Sequence, residues 1–354
     1  MKILVITQKY DINDSNLGVF IDWWDLLADK MEKVYILALE KQSEPTLSNM
    51  EVISMGKEKG AGFFRKVWGF YAGLFKTIGK TDAILVHMIP KYVILAAPVA
   101  FFYKKPIYMW YTGVSVHWQL RLAVIFCKKV FTAHEAGMRV NTKKRIIIGH
   151  GIDTQKFSIS NFQFSNNKDE ITILSVGRIT PTKGHDFVIR AVADLIKSGY
   201  NLKLKIIGGI IQNYHKEYSE SLKTLAKNLQ AEKSIEFLGP VSYKDMPSYF
   251  QKADILINAV TFGGLDKVVL EAMASGVIPL TSNSAFLTVF SEETARDFVF
   301  KAGDGEDLKI KLRHILDGKI YFDQNLCSAL RDIVVKNHNL DNLIERIVKE
   351  VAND

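Results

Sequence analysis

Short apolar runs alternate with longer amphipathic segments along the first half of the chain. Apolar runs rich in β-branched and aromatic residues predict strands at residues 2–6, 34–39, 51–54, 83–87, 106–110, 130–133 and 145–148. Apolar residues at helical spacing predict helices at 18–30, 63–79, 92–103 and 115–128. Strands that alternate with helices imply right-handed crossovers, so we expect a parallel, doubly wound sheet.

This alternation stops near residue 158 and then resumes. Residues 158–170 are rich in Ser, Asn and Asp and predict a linker, after which strands are predicted at 171–176, 203–207, 235–238, 255–257 and 278–281. The predicted fold class is α/β, with two doubly wound Rossmann-like domains at residues 1–157 and 171–337. In such an arrangement the domains would face each other across a cleft, and ligands of these folds bind at the carboxyl ends of the strands.

The composition is that of an ordinary globular protein, and 354 residues exceed what one core usually supports. Cys127 and Cys327 lie far apart in apolar helical patterns, which indicates buried free thiols in a reducing compartment. No secretory signal is visible, and the uncharged stretch 92–103 is shorter than the roughly 20 residues that a membrane-spanning helix needs. We therefore predict a cytoplasmic protein.

Positive charge is concentrated in the first half of the chain. Residues 1–165 contain 22 Lys and Arg against 13 Asp and Glu, whereas the remaining residues contain 24 against 25. Within 60–80, apolar and aromatic residues recur at helical spacing between cations, as in helices that lie in a bilayer interface. The stripe comprises Phe63, Phe64, Val67, Trp68, Tyr71, Leu74, Phe75 and Ile78, flanked by Lys59, Arg65, Lys66, Lys76 and Lys80.

Two interpretations of this stripe remain open. It predicts peripheral association with an anionic membrane through the N-terminal domain, or a helix packed on the sheet of its own domain. Nucleic acid is not a predicted partner, because the cations are not interleaved with a DNA- or RNA-reading motif.

Residues 263–279, GGLDKVVLEAMASGVIP, predict a glycine turn that leads into a helix. The N-terminus of such a helix suits a phosphate group, because its backbone N–H groups and dipole point at the ligand. Glu271 interrupts the apolar pattern, and a buried carboxylate needs donors. Those donors are either a structural cation or the hydroxyl groups of a ribose, so the stretch predicts a nucleotide-diphosphate site or a packed helix with a capped Glu.

The stretch SVGRITPTKGH follows the predicted strand 171–176. Its turn carries Arg178 and Lys183 between Gly177 and Gly184, and two cations at the carboxyl end of a strand suit a diphosphate leaving group. No Asp-x-Asp motif follows a strand, so no metal site is predicted.

Four motifs together resemble the retaining glycosyltransferases of family 4, which have the GT-B fold. These motifs are VGRITPTKG, GHGIDTQKF at 149–157, ADILINA at 253–259 and GGLDKVVLEAMASGVIP. The resemblance implies that Arg178 and Lys183 bind the pyrophosphate and that Glu271 holds the ribose. It further implies contacts of the donor with Gly18, Gly264, Leu265, Asp266, Lys267 and Val268. The segment 338–354 would return to complete the first domain.

The sequence departs from that family at two positions. Gly263 stands where the family usually has a second Glu, and Asp266 or a backbone amide is the available substitute. Gly113 lies close to the place where many relatives carry a His, and His117 is the nearest histidine, which makes it a candidate catalytic residue.

The resemblance implies transfer of a sugar from a UDP- or GDP-sugar to a lipid-linked or cell-surface glycan. The reaction would retain the anomeric configuration by a front-face mechanism, with no metal and no cofactor. A non-catalytic sugar- or lipid-binding descendant and a sugar-nucleotide epimerase remain as alternatives. A dinucleotide oxidoreductase is disfavoured, because no Gly-x-Gly-x-x-Gly follows the first strand.

Overall fold

The computed structural model describes residues 1–14, 16–158, 169–210, 215–261, 263–320 and 323–353. The chain divides into two compact units. The first comprises Met1–Gly151 together with the C-terminal segment from His338, and the second comprises Ile152–Asn337. Most of the predicted linker, residues 159–168, lies outside the described residues.

The first unit is built on a parallel sheet of seven strands in the order β3-β2-β1-β4-β5-β6-β7. Its strands are β1 (Lys2–Tyr10), β2 (Lys33–Lys41), β3 (Met50–Ser54), β4 (Ala83–His87), β5 (Ile107–Trp110), β6 (Lys129–Thr132) and β7 (Arg145–Ile147). Its helices are α1 (Val19–Asp29), α2 (Phe63–Ile78), α3 (Pro90–Phe102), α4 (Trp118–Phe126) and, near the C-terminus, α12 (Leu340–Ala352).

Both faces of this sheet are covered, since successive side chains of a strand point to opposite faces. Ile3 and Val5 of β1 belong to the core that also contains the buried residues of α1 and α12. Leu4 and Ile6 belong to the core beneath α2, α3 and α4. The sheet is therefore doubly wound.

The second unit contains a parallel sheet of five strands in the order β10-β9-β8-β11-β12. The strands are β8 (Ile171–Val176), β9 (Leu202–Ile207), β10 (Ile235–Gly239), β11 (Ile255–Asn258) and β12 (Ile278–Thr281). The helices are α5 (His185–Lys197), α6 (Lys216–Asn228), α7 (Met246–Phe250), α8 (Lys267–Ser275), α9 (Glu292–Phe298), α10 (Gly305–Leu316) and α11 (Gln324–Asn337). The predicted class of two parallel-sheet α/β domains is thus confirmed.

The predicted apolar stripe of α2 does not form a single face. Leu74 and Ile78 are buried on the sheet, together with Phe70, whereas Phe64 and Trp68 are 85% and 77% exposed. At 3.6 residues per turn, the apolar arc of this helix is wider than the strip that a sheet can cover. Packing on the domain therefore accounts for one part of the stripe and leaves the other part in solvent. No helix within the described ranges is both long and apolar enough to span a bilayer.

Candidate functional site

The strand order of the second unit reverses between β8 and β11. Strand β8 pairs with β9 on one side and with β11 on the other. The carboxyl ends of two such strands diverge into separate loops, and α/β proteins bind ligands at this switch point. Here the loops are 177–184 after β8 and 259–266 after β11, and they carry half of the predicted site residues.

Close backbone packing fixes the first loop. Gly184 has φ +60°, and a Cβ atom there would lie 2.1 Å from the carbonyl oxygen of Ala259, so only glycine fits. The aliphatic part of Lys183 passes over Gly177, whose Cβ would be 3.3 Å from the Lys183 Cδ. The loop therefore lies against the end of β11 and directs the Lys183 ammonium group towards the second loop.

A buried histidine holds the base of this loop. His185 is 1% exposed; its Nδ1 is 2.9 Å from the Ser175 Oγ, and its Nε2 is 3.3 Å from the carbonyl oxygen of Arg178. Burial lowers the pKa of His185 to about 4, so the ring is neutral at pH 7. Arg178 itself is exposed. His185 was not singled out from the sequence, because a lone His at a helix start carries no signal of its partners.

An ion pair joins the two loops. Lys183 Nζ donates to Asp266 Oδ1 at 2.9 Å, and both side chains are less than one-fifth exposed. The other oxygen, Asp266 Oδ2, accepts a hydrogen bond from Asn283 Nδ2 at 2.8 Å. Two predicted donor-site residues that are far apart in sequence are therefore in direct contact.

Because of this ion pair, the side chain of the N-cap residue Asp266 does not cap the N-terminus of α8. Asp266 occupies the N-cap position in extended conformation, but its side chain makes no capping hydrogen bond. An N-cap Asp usually accepts from the N–H groups of the first turn. Here the carboxylate is turned to Lys183 and Asn283 instead, so the first turn of α8 is available to an anion.

Glu271 lies one turn further along α8 and is 5% exposed. Its Oε1 is 3.4 Å from Lys267 Nζ, and this oxygen accepts no hydrogen bond from the described residues. Lys267 Nζ instead donates to the hydroxyl of Tyr243 at 2.8 Å. A buried carboxylate oxygen without a donor costs about 1–3 kcal/mol or more, which hydroxyl groups of a ligand would recover.

The end of β12 supports the second loop. Asn283 Nδ2 donates to the carbonyl oxygen of Gly264 at 2.6 Å, and Ser282 Oγ donates to that of Val260 at 2.6 Å. Both side chains are buried. Asn283 and Tyr243 were missed in the sequence; the usable signal for Asn283 was its position directly after a buried parallel strand.

The predicted donor-site residues in and just after the loop 259–266 differ in which of their atoms a ligand can reach. Leu265 is buried, so only its backbone can meet a ligand, whereas Gly264 and Val268 are partly exposed. A Cβ on Gly263 would lie 3.6 Å from Asp266 Oδ2 and 3.8 Å from Asn283 Nδ2. The Asp266 carboxylate therefore lies in ordinary van der Waals contact with the position that a Cβ at 263 would take.

The remaining predicted residues, Gly18 and His117, belong to the first unit. Gly18 precedes α1, and a Cβ there would meet the Asp14 carbonyl oxygen at 2.5 Å. His117 caps α4, with its Nδ1 accepting from the N–H of Leu120 at 3.2 Å. At Gly113 a Cβ would lie 2.8 Å from the Tyr111 hydroxyl, so the phenol ring fills the space of a side chain.

His87, a further histidine of the first unit, is a core residue. It is 2% exposed and packs against Phe20 and Trp24, and burial lowers its pKa to about 3. Such a ring neither meets solvent nor takes up a proton near pH 7.

A cavity of about 700 Å³ borders the second loop of the second unit. Its lining includes Gly263, Asn283, Ser284, Arg296 and Lys301. Arg178, Lys183 and Glu271 are not among its lining residues. The predicted donor-site residues Arg178, Lys183 and Glu271 therefore lie outside this cavity.

Comparisons with known proteins show which sequences and folds this chain resembles. Residues 157–332 match the family model for glycosyl transferases group 1. Protein CapJ of Staphylococcus aureus is 24% identical over 96% of this chain and 91% of its own length. A GDP-Man:Man(3)GlcNAc(2)-PP-Dol alpha-1,2-mannosyltransferase of Dictyostelium discoideum is 30% identical, over 32% of this chain and 24% of its own.

Among solved structures, Anabaena HepE in complex with UDP superposes with a TM-score of 0.79 at 17% identity, and the match covers 100% of both chains. That likeness shows the fold of this chain. The matched segment 157–332 spans almost all of the second unit, including both loops and α8. Residues 157–332 are thus similar to glycosyl transferases group 1, and the protein is a glycosyltransferase of GT-B fold.

Proposed function

We propose that this protein is a retaining glycosyltransferase that takes a UDP- or GDP-sugar as donor and needs no metal. The acceptor is a lipid-linked or cell-surface glycan at the cytoplasmic face of a membrane. The observation that carries the donor assignment is the buried Glu271, whose Oε1 lacks a hydrogen bond, on a helix whose uncapped N-terminus faces Lys183.

The proposed donor fits the site in three parts. The two ribose hydroxyls donate to Glu271, and the diphosphate lies between the first turn of α8 and the cations Arg178 and Lys183. Lys183 is already positioned by Asp266, so binding requires no new ordering of its side chain. HepE, whose structure contains UDP, is a precedent for a nucleoside diphosphate in this fold.

These groups also determine the chemistry that the site can support. When the bond between the anomeric carbon and the diphosphate oxygen breaks, negative charge develops on that oxygen, and fixed cations and a helix N-terminus stabilise it. In the front-face reaction the acceptor hydroxyl attacks from the side of the leaving group and transfers its proton to the departing oxygen. The new bond then has the anomeric configuration of the donor.

Two cations and a helix terminus replace the divalent metal in this proposal. A metal ion bridging a diphosphate would serve the same purpose, to neutralise the leaving group. Lys183 and Arg178 place two positive charges at the end of β8, of which the Asp266 carboxylate offsets one, and the N-terminus of α8 adds about half a positive charge.

The acceptor assignment rests on the first unit. The mannosyltransferase relative carries PP-Dol in the name of its substrate, and the excess positive charge of this chain lies in residues 1–165. A basic, aromatic surface suits an enzyme that meets its acceptor at an anionic membrane.

The experiment that tests this function is sugar transfer onto a membrane fraction from a panel of labelled UDP- and GDP-sugars in EDTA. We expect transfer from one donor, with the product anomer matching that of the donor. Glu271→Gln should abolish transfer, while Glu293→Gln, a control at an exposed position of the same unit, should leave it unchanged. Transfer that requires a divalent metal, or full activity of Glu271→Gln, would contradict the proposal.

A further inference from the structure

The helices on one face of the first unit carry an unusual share of the exposed aromatic surface. Within the described ranges, every large aromatic side chain that is strongly exposed lies on or just after α2, α3 or α4. These are Phe63, Phe64, Trp68, Phe75, Phe101, Phe102, Tyr103, Trp118 and Phe126. On soluble proteins, large exposed apolar surfaces often mark the places that meet another protein or a membrane.

The part of this surface that the sequence pattern did not identify is the junction of α3 and α4. We call it the α3–α4 edge, and it comprises Phe101, Phe102, Ile125 and Phe126 with Lys104, Lys105 and Lys128. Phe101 and Phe102 are 87% and 83% exposed, and Ile125 is 67% exposed. These side chains lie at the C-terminal ends of both helices.

A cavity lies within the edge. It has a volume of about 240 Å³ and is lined mainly by apolar groups, among them Ala97, Ala100, Phe101, Pro106 and Phe126. Lys105 and Lys128 complete its lining. An apolar recess with two cations matches an amphiphile that has a hydrocarbon chain and an anionic head group.

Charge distinguishes this face of the unit from the opposite one. The helices of this face, α2, α3 and α4, carry five Lys and Arg residues and no carboxylate. The helices of the opposite face, α1 and α12, carry six carboxylates and two cations. A positively charged, aromatic face is complementary to an anionic bilayer and would repel a second copy of itself.

We propose that the α3–α4 edge inserts into an anionic phospholipid bilayer, with its cavity receiving part of one lipid whose phosphate lies between Lys105 and Lys128. This deepens the proposed function, since it rests on a membrane acceptor and names the surface that brings the enzyme to it. The exposed side of α2 provides a second contact, and neither contact involves the donor-site residues of the second unit.

The first test is partitioning of the full-length protein onto phosphatidylcholine vesicles with and without phosphatidylglycerol. Phe101→Ser with Phe102→Ser should lower partitioning at least about tenfold, because two exposed rings no longer leave water. Lys104→Gln with Lys105→Gln should lower it by roughly fivefold per cation on the anionic vesicles. Each double variant has a matched control in the second unit. Leu287→Ser with Ile310→Ser is the control for the two rings, and Lys223→Gln with Lys227→Gln is the control for the two cations. Both controls should partition onto the vesicles as the wild-type protein does.

A second test locates the inserted side chains. Trp68→Phe with Trp118→Phe removes both exposed indoles and leaves the buried Trp23, Trp24 and Trp110. In that background Phe102→Trp should be quenched by brominated lipid, whereas Leu287→Trp should not. An unquenched Phe102→Trp, or wild-type partitioning of the Phe101 and Phe102 variant, would overturn the proposal, as would capture of a protein partner by this edge without vesicle binding.

These results are separable from those on the donor site. The vesicle variants should keep the thermal stabilisation by a nucleoside diphosphate, so a failure of vesicle binding overturns the docking surface alone. If no nucleoside diphosphate stabilises the wild-type protein against thermal unfolding, the proposed donor site is overturned instead.

Discussion

At the scale of single residues, the donor site depends on two charged side chains held at partly or fully buried positions. Lys183 is anchored by Asp266, and Glu271 lies next to Lys267 with unused hydrogen-bonding capacity. A cation held in a fixed position stabilises a developing negative charge more than a mobile cation does, because it does not have to reorganise during the reaction. The two residues therefore have different expected roles, one in the transition state and one in donor binding.

Lys183→Gln should reduce the turnover number by about 100-fold or more, the usual cost of removing one transition-state donor. Steady-state kinetics with the preferred sugar nucleotide measures this. Lys197→Gln, at the exposed end of α5, is the control and should match wild type. A turnover number of Lys183→Gln within threefold of wild type would show that the lysine only stabilises the fold.

His185 should make the second unit sensitive to acid. Its pKa is about 4 in the folded protein against 6.5 in an exposed histidine, with Lys183 and Asp186 as the charged groups nearby. Because the unfolded chain binds the proton more readily, stability is complete above pH 6.5 and declines as the pH falls towards 4. At about 1.4 kcal/mol per pKa unit, the decline is about 3 kcal/mol.

Urea unfolding between pH 7 and pH 4 checks this expectation. His185→Gln should be less stable than wild type at pH 7 but should lose less stability on acidification. An identical pH slope in the two proteins would mean that His185 is not a buried neutral histidine. His87 and His338 titrate in the first unit, so the unfolding of the second unit must be followed separately.

At the scale of secondary structure elements, the site depends on the close approach of the loop after β8 to the end of β11. Gly184→Ala places a methyl group 2.1 Å from a carbonyl oxygen at φ +60° and should lower the unfolding free energy by more than about 2 kcal/mol. Gly263→Ala meets only ordinary contacts and should change it by less than about 0.5 kcal/mol. Equal melting temperatures of the two variants would contradict the described packing of the loops.

Much of this arrangement could be predicted from the sequence. Strand positions followed from short apolar runs, and the loops after β8 and β11 were identified because glycines and cations follow buried strands. What the pattern could not supply was pairing at long range. Lys183 and Asp266 are 83 positions apart in the sequence. The residues around Asp266 do not indicate that its side chain binds a lysine and does not cap α8.

The prediction for α2 shows a different limit. Periodicity identified the helix and its apolar arc, but which part of a wide arc meets the sheet depends on the position of the strands beneath it. The α3–α4 edge could not be predicted for a similar reason. Helix α3 is apolar on all sides, so its sequence does not distinguish a buried face from an exposed one. In both helices, the exposed aromatics became visible only once the packing was known.

At the scale of the whole molecule, charge and chemistry are divided between the two units. The second unit holds the residues proposed to bind the donor, and its part of the chain is close to neutral. The first unit carries the excess of positive charge and the exposed aromatic side chains. We expect raised salt to weaken vesicle binding, since charges near a surface are screened over about 8 Å at physiological ionic strength. Unchanged partitioning in high salt would show that the contact is apolar alone.

The central claim is that the loops after β8 and β11 and the start of α8 bind a nucleoside diphosphate without a metal. Its most direct test is thermal unfolding in EDTA with UDP, GDP, ADP and CMP, because a ligand that binds only the native state raises the melting temperature. At 100 times the dissociation constant the stabilisation is about 2.7 kcal/mol. We predict a clear increase with UDP or GDP in the wild-type protein and none in Glu271→Gln. No increase with any nucleotide, or an equal increase in Glu271→Gln, would contradict the account.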